Sequence, residues 1–221
     1  MKKHIIIVTV CIVGTLGIVG AGVFANARLD PTSAYVALKK EELKENENPA
    51  VKIKNNKVAY VGSNIDIILG DLRESETFYL AKGEDEIKAK EDALLFQKEY
   101  SALFAKAKEK GYSVTEQEID DAVEEIKELS KTPENKDVVG PIISAYPNEE
   151  AYWKYLKHVY KKQLVVQKYV ADLEKSFADG YSGEKGTEEY NKAWRQWFDS
   201  FKKQAIQEEG FKAAKGVTWI K

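Results

Sequence analysis

Few side chains in this sequence are of types that could support acid–base, nucleophilic or metal chemistry. The two histidines are His4, in an apolar N-terminal run, and His158, in the lysine-rich stretch YLKHVYKK. A zinc centre needs several clustered nitrogen or sulfur ligands, and a serine–histidine–acid triad would have to use His158. A lone histidine among lysines favours a solvated or partly packed helix position, with a catalytic role as the alternative.

Carboxylates are dense in one segment and recur in one loop. The segment runs from Glu116 to Glu128, and its acidic residues have the spacing of a solvated helix face, although such a face could also bind a cation or pair an acid with a base. In the loop, Asp179 is followed at the third and fifth positions by Tyr181 and Gly183, so the ligand ladder of a calcium loop fails. We therefore expect no metal, no cofactor and no enzymatic activity.

Aromatic side chains are the remaining group that could form a functional site, and they are concentrated in the last two predicted helices. The stripe members Tyr152, Trp194, Trp197 and Phe201 are expected in the core. Neighbours on a helix point about 100° apart, so aromatic residues beside the stripes are expected on a partly exposed apolar surface that could bind unfolded chains. The candidate binding residues are Trp153, Tyr155, Tyr160, Trp194, Trp197 and Phe198.

Helices must position these residues, because apolar spacings of three and four dominate the chain. The spacing predicts a helix over 84–110 that ends before Gly111, and a second helix that Thr115 and Glu118 start with a capping box. These two helices are expected to form a hairpin. A long helix should start at Asn148 and end near residue 177, and a last one should span 187–208.

The remaining segments predict a few smaller elements. The stretches VAYVG and VTWIK alternate as short strands, and IDIILGDLRESETFYLAKG between them is predicted as a helix. A short helix is expected near 34–45. The sequence therefore predicts a mostly α-helical fold with one two-stranded pairing.

The N-terminus has the pattern of an export signal. MKKH is followed by the apolar run Ile5 to Ala25 and the small-x-small site Ala25-Asn26-Ala27. Residues 1–27 are expected to be a cleaved signal peptide or an uncleaved membrane anchor, residues 28–56 an extracytoplasmic tether, and residues 57–221 the folded domain. The only cysteine, Cys11, lies in the apolar run, so the exported part has no thiol for a disulfide.

The composition fits an ordinary folded domain. Of the 221 residues 43% are apolar, and the 34 basic and 36 acidic residues are interspersed to a net charge of −2. No global field attracts nucleic acid, so we expect no nucleic-acid partner. The membrane would be reached only through the N-terminal segment.

The middle of the chain resembles the SurA N-terminal domain family, the helical chaperone lobe of SurA- and PrsA-type foldases, which is similar to the C-terminal domain of trigger factor. The resemblance rests on VAYVG, on ALLFQKEYSALFAKAKEKGYSVTEQEIDDAVEEIKE and on NEEAYWKYLKHVYKKQLVVQKYV, and covers roughly residues 57–177. AWRQWFDSFKKQAIQ resembles the closing helix of these foldases, so residues 187–221 are expected to return to the lobe, with VTWIK beside VAYVG.

The resemblance also implies a function. In these foldases a parvulin-type prolyl isomerase domain lies between the long helix and the closing helix, where this sequence has only the loop ADGYSGEKG. The expected function is an extracytoplasmic chaperone-like protein that binds unfolded or extended segments of exported proteins without isomerase activity. The alternative is a cell-envelope scaffold that recognises one folded partner.

Overall fold

The computed structural model describes residues 31–47 and 55–220, so the predicted export signal at 1–27 lies outside the described residues. Over the described residues the chain forms seven helices and three short strands, and the prediction of a mostly helical fold is confirmed. The helices are α1 (Pro31–Asn46), α2 (Leu69–Ala81), α3 (Glu86–Glu109), α4 (Glu116–Ser130), α5 (Pro133–Ile143), α6 (Glu149–Gly180) and α7 (Glu188–Glu209). The strands are β1 (Val58–Val61), β2 (Asp66–Ile68) and β3 (Lys212–Ala213).

Helices α3, α4, α6 and α7 each begin with a side-chain cap, close to the start that the sequence predicts. The predicted capping box of α4 is present, because the Thr115 hydroxyl accepts from the Glu118 amide at 3.2 Å and Glu118 Oε2 accepts from the Thr115 amide at 2.8 Å. Asp85, Asn148 and Thr187 cap α3, α6 and α7, because each side chain accepts from one backbone amide of the first turn. These local bonds satisfy amides that have no partner inside the helix.

The small sheet has three antiparallel strands in the order β2-β1-β3. The expected pairing of two strands, VAYVG with VTWIK, is therefore wrong in the number of strands and in the strand that pairs with VAYVG. The stretch Asp66–Ile68, predicted as the start of a helix, is strand β2 and pairs with β1. On the other side of β1 lies β3, directly after α7. The chain therefore returns to its first strand, but through Lys212–Ala213 and not through VTWIK.

The C-terminal VTWIK segment packs without forming a strand over its described residues. Trp219 is buried against the sheet cluster beside Ile67 and Leu72, and its indole N–H donates to the Lys90 carbonyl at 3.0 Å. Side-chain packing centred on Trp219 therefore fixes this tail, where we expected ladder hydrogen bonds.

Helix α1 belongs to the folded body. It packs against α2 and α5, and its Tyr35 and Lys39 are buried. The short helix expected near 34–45, within the predicted tether over 28–56, is therefore present, and it packs on the folded domain.

Two further expectations about the helices are corrected. The connection TPENKDVVGPIISAYP contains α5, which starts with Pro133 in its first turn, where a missing amide is tolerated. The hairpin expected from α3 and α4 is not the main packing, because α4 packs on α6 and α5, whereas α3 packs on α2, α6 and α7. Helix α6 thus lies at the centre and joins both halves of the core.

Candidate binding surface

The most distinctive site is an aromatic cluster between the end of α6 and the start of α7. Phe177, on the last turns of α6, lies with its ring centroid 5.5 to 5.7 Å from four other rings. These rings belong to Tyr181, in the loop after α6, and to three residues of α7. The cluster, called here the arm cluster, consists of Phe177, Tyr181, Tyr190, Trp194, Trp197 and Phe201.

Helical spacing on α7 builds one side of the arm cluster. Trp194, Trp197 and Phe201 recur at intervals of three and four, so their rings lie one above another. Trp197 stacks on Trp194 at 5.4 Å and 21°, and on Phe201 at 5.4 Å and 15°. Offset stacking of this kind holds flat rings in fixed orientations.

The arm cluster is open on one side. Trp197 is 37% exposed, and Phe177, Tyr181 and Trp194 are only partly buried. Tyr190 is buried beneath them. A tryptophan that keeps over a third of its surface in water, beside other half-buried rings, offers apolar area to a binding partner.

The base of the arm cluster joins the core. Trp194 and Phe201 pack against the buried cluster formed by Phe198, Val166 and Tyr100. The inner edges of the exposed rings therefore rest on rigid helices, and only their outer faces are free for contact.

The expected exposure is wrong for three of the four candidate residues that lie beside the stripes. Trp153, Tyr160 and Phe198 are buried at 9%, 4% and 7% exposure. The reason is that α6 packs on both α3 and α4, so residues beside its stripe also face a neighbouring helix, whereas Phe198 packs into the buried cluster that α3 and α6 share with α7. Trp153 additionally donates its indole N–H to Glu149 at 2.8 Å.

The other three candidates divide between two places. Trp194 and Trp197 lie in the arm cluster, although their stripe position predicted core. Tyr155 is partly buried in the second turn of α6, at the opposite end of the helix from Phe177. Its hydroxyl donates to the Glu74 carboxylate, and the Lys39 ammonium lies 5.3 Å from its ring centroid. The structure thus does not bring Tyr155 together with the two tryptophans.

Four members of the arm cluster are not among the six candidates: the stripe residues Tyr190 and Phe201, and also Phe177 and Tyr181. Phe177 was seen only as the last stripe residue of α6, and Tyr181 only as a loop residue that fails as a calcium ligand. Their spacing of four is the signal that could have found them, because α6 continues to Gly180 and carries the stripe on to Tyr181.

The acidic face of α4 is partly paired with α6. Lys157 contacts Asp120 at 2.5 Å, and Lys161 contacts Glu116 at 3.0 Å. All four side chains are about half exposed or more, so each pair is worth little alone. The pairs fix the face of α4 that is turned toward α6.

Metal-ligating side chains are not grouped in the described part of the chain. Within residues 31–47 and 55–220, no group of three or more His, Cys, Asp or Glu side chains is placed to hold a metal ion. His158 is exposed on α6, as the solvated interpretation predicted. Across those same residues, none of the helices combines the length and apolarity needed to span a bilayer.

Comparison with known proteins identifies no relative. No protein-family model, no curated protein and no solved structure matches this chain.

Proposed function

We propose that this chain is an extracytoplasmic chaperone-like protein, anchored in the membrane or secreted, that holds unfolded or extended segments of exported proteins. The observation that carries the proposal is the half-open arm cluster, with Trp197 37% exposed on a rigid two-helix support. In this proposal the short loop between α6 and α7 replaces the isomerase domain of the foldases that the chain resembles, so the protein holds chains without isomerising them.

The chemistry of the arm cluster suits weak and broad recognition. Flat aromatic faces gain about 25 cal/mol for each Å² of apolar surface that a bound segment covers. Many different side chains of a bound segment can supply this free energy, since the hydrophobic effect is not directional. The helix surfaces around the cluster carry both charges, including Glu174, Lys175 and Arg195, so neither acidic nor basic segments are repelled as a class.

An aggregation assay tests the proposal. Residues 28–221, shown by circular dichroism to be folded, should suppress light scattering from a reduced, unfolding client protein in proportion to their concentration. Trp197→Ala should weaken the suppression several-fold. Ile87→Ala is the matched control, because Ile87 is an exposed apolar residue, at 67%, on a different helix.

Two outcomes contradict the proposal. One is a folded protein that gives no suppression at several-fold molar excess. The other is a single stoichiometric partner, captured through the arm cluster, together with no affinity for denatured proteins. The second outcome would assign the chain to the cell-envelope scaffold class.

A further inference from the structure

A second concave site lies between α2, α3 and α6 and is separate from the arm cluster. Its volume is about 330 Å³, which is within the range of pockets that hold small molecules. The α3 residues Gln97 and Tyr100 line it at 4% and 3% exposure. The pocket therefore reaches into the core of the domain.

Tyr100, which lines the pocket, carries a polar group that the fold leaves unsatisfied. The Tyr100 hydroxyl is fully buried and has no hydrogen-bond partner among the described residues. A buried hydroxyl without a partner costs free energy, about 1–3 kcal/mol in typical proteins. By contrast, the neighbouring Gln97 amide donates to the Asp71 carbonyl at 3.1 Å and to Ser75 at 2.8 Å.

The two walls of the pocket carry opposite charge. All of its carboxylates come from β2 and α2, and all of its basic side chains come from α6. The acidic wall consists of Asp66, Asp71 and Glu74, and the basic wall consists of His158, Lys161 and Lys162.

Glu74 and Lys161 already pair with residues outside the pocket, so the closest opposed charges across it are Asp71 and Lys162. Lys162 Nζ lies 3.7 Å from Asp71 Oδ2, which is beyond hydrogen-bond distance. Burial raises the pKa of Asp71 even though Lys162 and His158 lie near it. The carboxylate of Asp71 would therefore be better stabilised by a closer cation.

We propose that this pocket binds a small zwitterion of the free amino acid class. Its ammonium group would contact the acidic wall at Asp71, and its carboxylate would contact the basic wall at Lys162. The ligand would give the Tyr100 hydroxyl a hydrogen bond, and Ile68 and Val159 would contact its apolar part. The proposal is independent of client binding by the arm cluster, because the two sites share no residue.

Thermal unfolding with added amino acids tests the proposal. The full chain, kept soluble in mild detergent, is unfolded in the presence of each of the twenty free amino acids. At least one should raise Tm by roughly 3–6 °C at about tenfold above its Kd, since a ligand that binds only the folded state stabilises it. The N-acetyl and the methyl-ester derivatives of that amino acid should each lose most of the shift.

Variants separate binding from folding. Tyr100→Phe removes the unpartnered hydroxyl, so the Tm of the free protein should be unchanged or higher. The affinity for the amino acid should fall at least several-fold. Asp71→Asn and Lys162→Gln should also lower the affinity for the amino acid. Their controls are Asp120→Asn and Lys157→Gln, which change charges of the same kind outside the pocket.

Three results would overturn the proposal. The first is no Tm shift with any of the twenty amino acids at about 10 mM, a concentration that would saturate even the weak site expected here. The second is equal binding of the amino acid and its two derivatives. The third is unchanged affinity in a folded Tyr100→Phe protein.

Discussion

Gly62 has almost no room for a side chain. It follows β1, and a Cβ atom at this position would lie 2.4 Å from the Ile65 carbonyl oxygen and 2.7 Å from the Phe211 ring. The adjacent turn is also fixed from outside, because the buried carboxylate of Glu209 accepts from the Asn64 backbone and side-chain amides, both at 2.9 Å. One small residue thus lets the end of α7 close on the β1–β2 turn.

Gly62→Ala should therefore destabilise the protein by about 3 kcal/mol, at the upper end of the usual cost of overpacking. Urea unfolding followed by circular dichroism measures the change. Gly180→Ala is the control, because nothing lies within 4 Å of that position and its φ is not positive, so its stability should change little or rise. Equal effects of the two variants would show that the β1–β2 turn is not closely packed.

Glu118 makes the clearest pH-dependent contribution. Hydrogen bonds from Lys168, at 2.5 Å, and from the Thr115 amide lower the pKa of Glu118 from 4.5 to about 2. A lowered carboxyl pKa stabilises the folded state above the unfolded-state value, and that contribution is lost as pH falls from about 4.5 to about 2.

Lys168→Gln should raise the pKa of Glu118 back toward 4.5 and make the loss of Tm between pH 4.5 and pH 2 shallower. A carbon-detected NMR titration of the Glu118 carboxyl reports the pKa directly. Lys175→Gln, at an exposed lysine on the same helix, should leave that titration unchanged. A Glu118 pKa near 4.5 in the unsubstituted protein would contradict the capping-box geometry.

Elements with strong local signals could be predicted from the sequence. Helices α3, α4, α6 and α7 each combine an apolar stripe with a capping side chain, and all four form where predicted. The sequence predicts helix where strand β2 forms, because Ile65, Ile68 and Leu72 also fit helical spacing and three residues are too few to show alternation. The sequence does not predict helix α5, because two prolines, Pro133 and Pro141, usually indicate a connection. Pro133 is tolerated because it occupies the first turn of the helix.

The candidate site was predictable only in part, for a physical reason. A stripe tells which side of a helix is apolar but not how many neighbours cover that helix. Helix α6 packs on both α3 and α4, so Trp153 and Tyr160 beside its stripe are buried. The start of α7 is covered on fewer sides, so the stripe residue Trp197 is exposed.

The arm cluster should behave as one local unit, because Phe177 is its shared contact. Phe177→Ala removes four ring contacts at once and should speed amide exchange in the last turns of α6 and the first turns of α7. An increase of roughly tenfold corresponds to a loss of about 1.4 kcal/mol of local stability.

Hydrogen–deuterium exchange with mass spectrometry measures this change. Amides of α4 should keep their protection in the same variant, and Phe177→Leu should give a smaller effect. Uniformly faster exchange across the chain would mean that the cluster is not a separate unit.

At the scale of the whole molecule, α1 is joined to the body by a buried charge. Lys39 is 3% exposed and pairs with Glu42 at 3.1 Å and with Glu74 of α2 at 3.4 Å. Burial alone would lower the pKa of Lys39, but Glu74, Tyr35 and Glu42 together raise it well above its ordinary value. The ammonium is therefore held charged in the interface between α1 and the rest of the domain.

Lys39→Gln should cost roughly 2–3 kcal/mol, because it leaves two carboxylates without their cation. The same change should make α1 sensitive to limited proteolysis before the rest of the chain. Lys40→Gln is the control, since Lys40 is exposed one position away. If both variants resist protease equally, α1 is held by its apolar contacts alone.

The central claim is that the arm cluster binds unfolded polypeptide, and one titration tests it most directly. Fluorescence anisotropy of a labelled, permanently unfolded polypeptide is measured against residues 28–221 as wild type, Trp197→Ala and Ile87→Ala. We predict saturable binding by the wild type and by Ile87→Ala, and an affinity at least about fivefold weaker for Trp197→Ala, since truncating a central aromatic residue typically costs 1 kcal/mol or more. No binding by the folded wild type, or equal binding by Trp197→Ala, would contradict it.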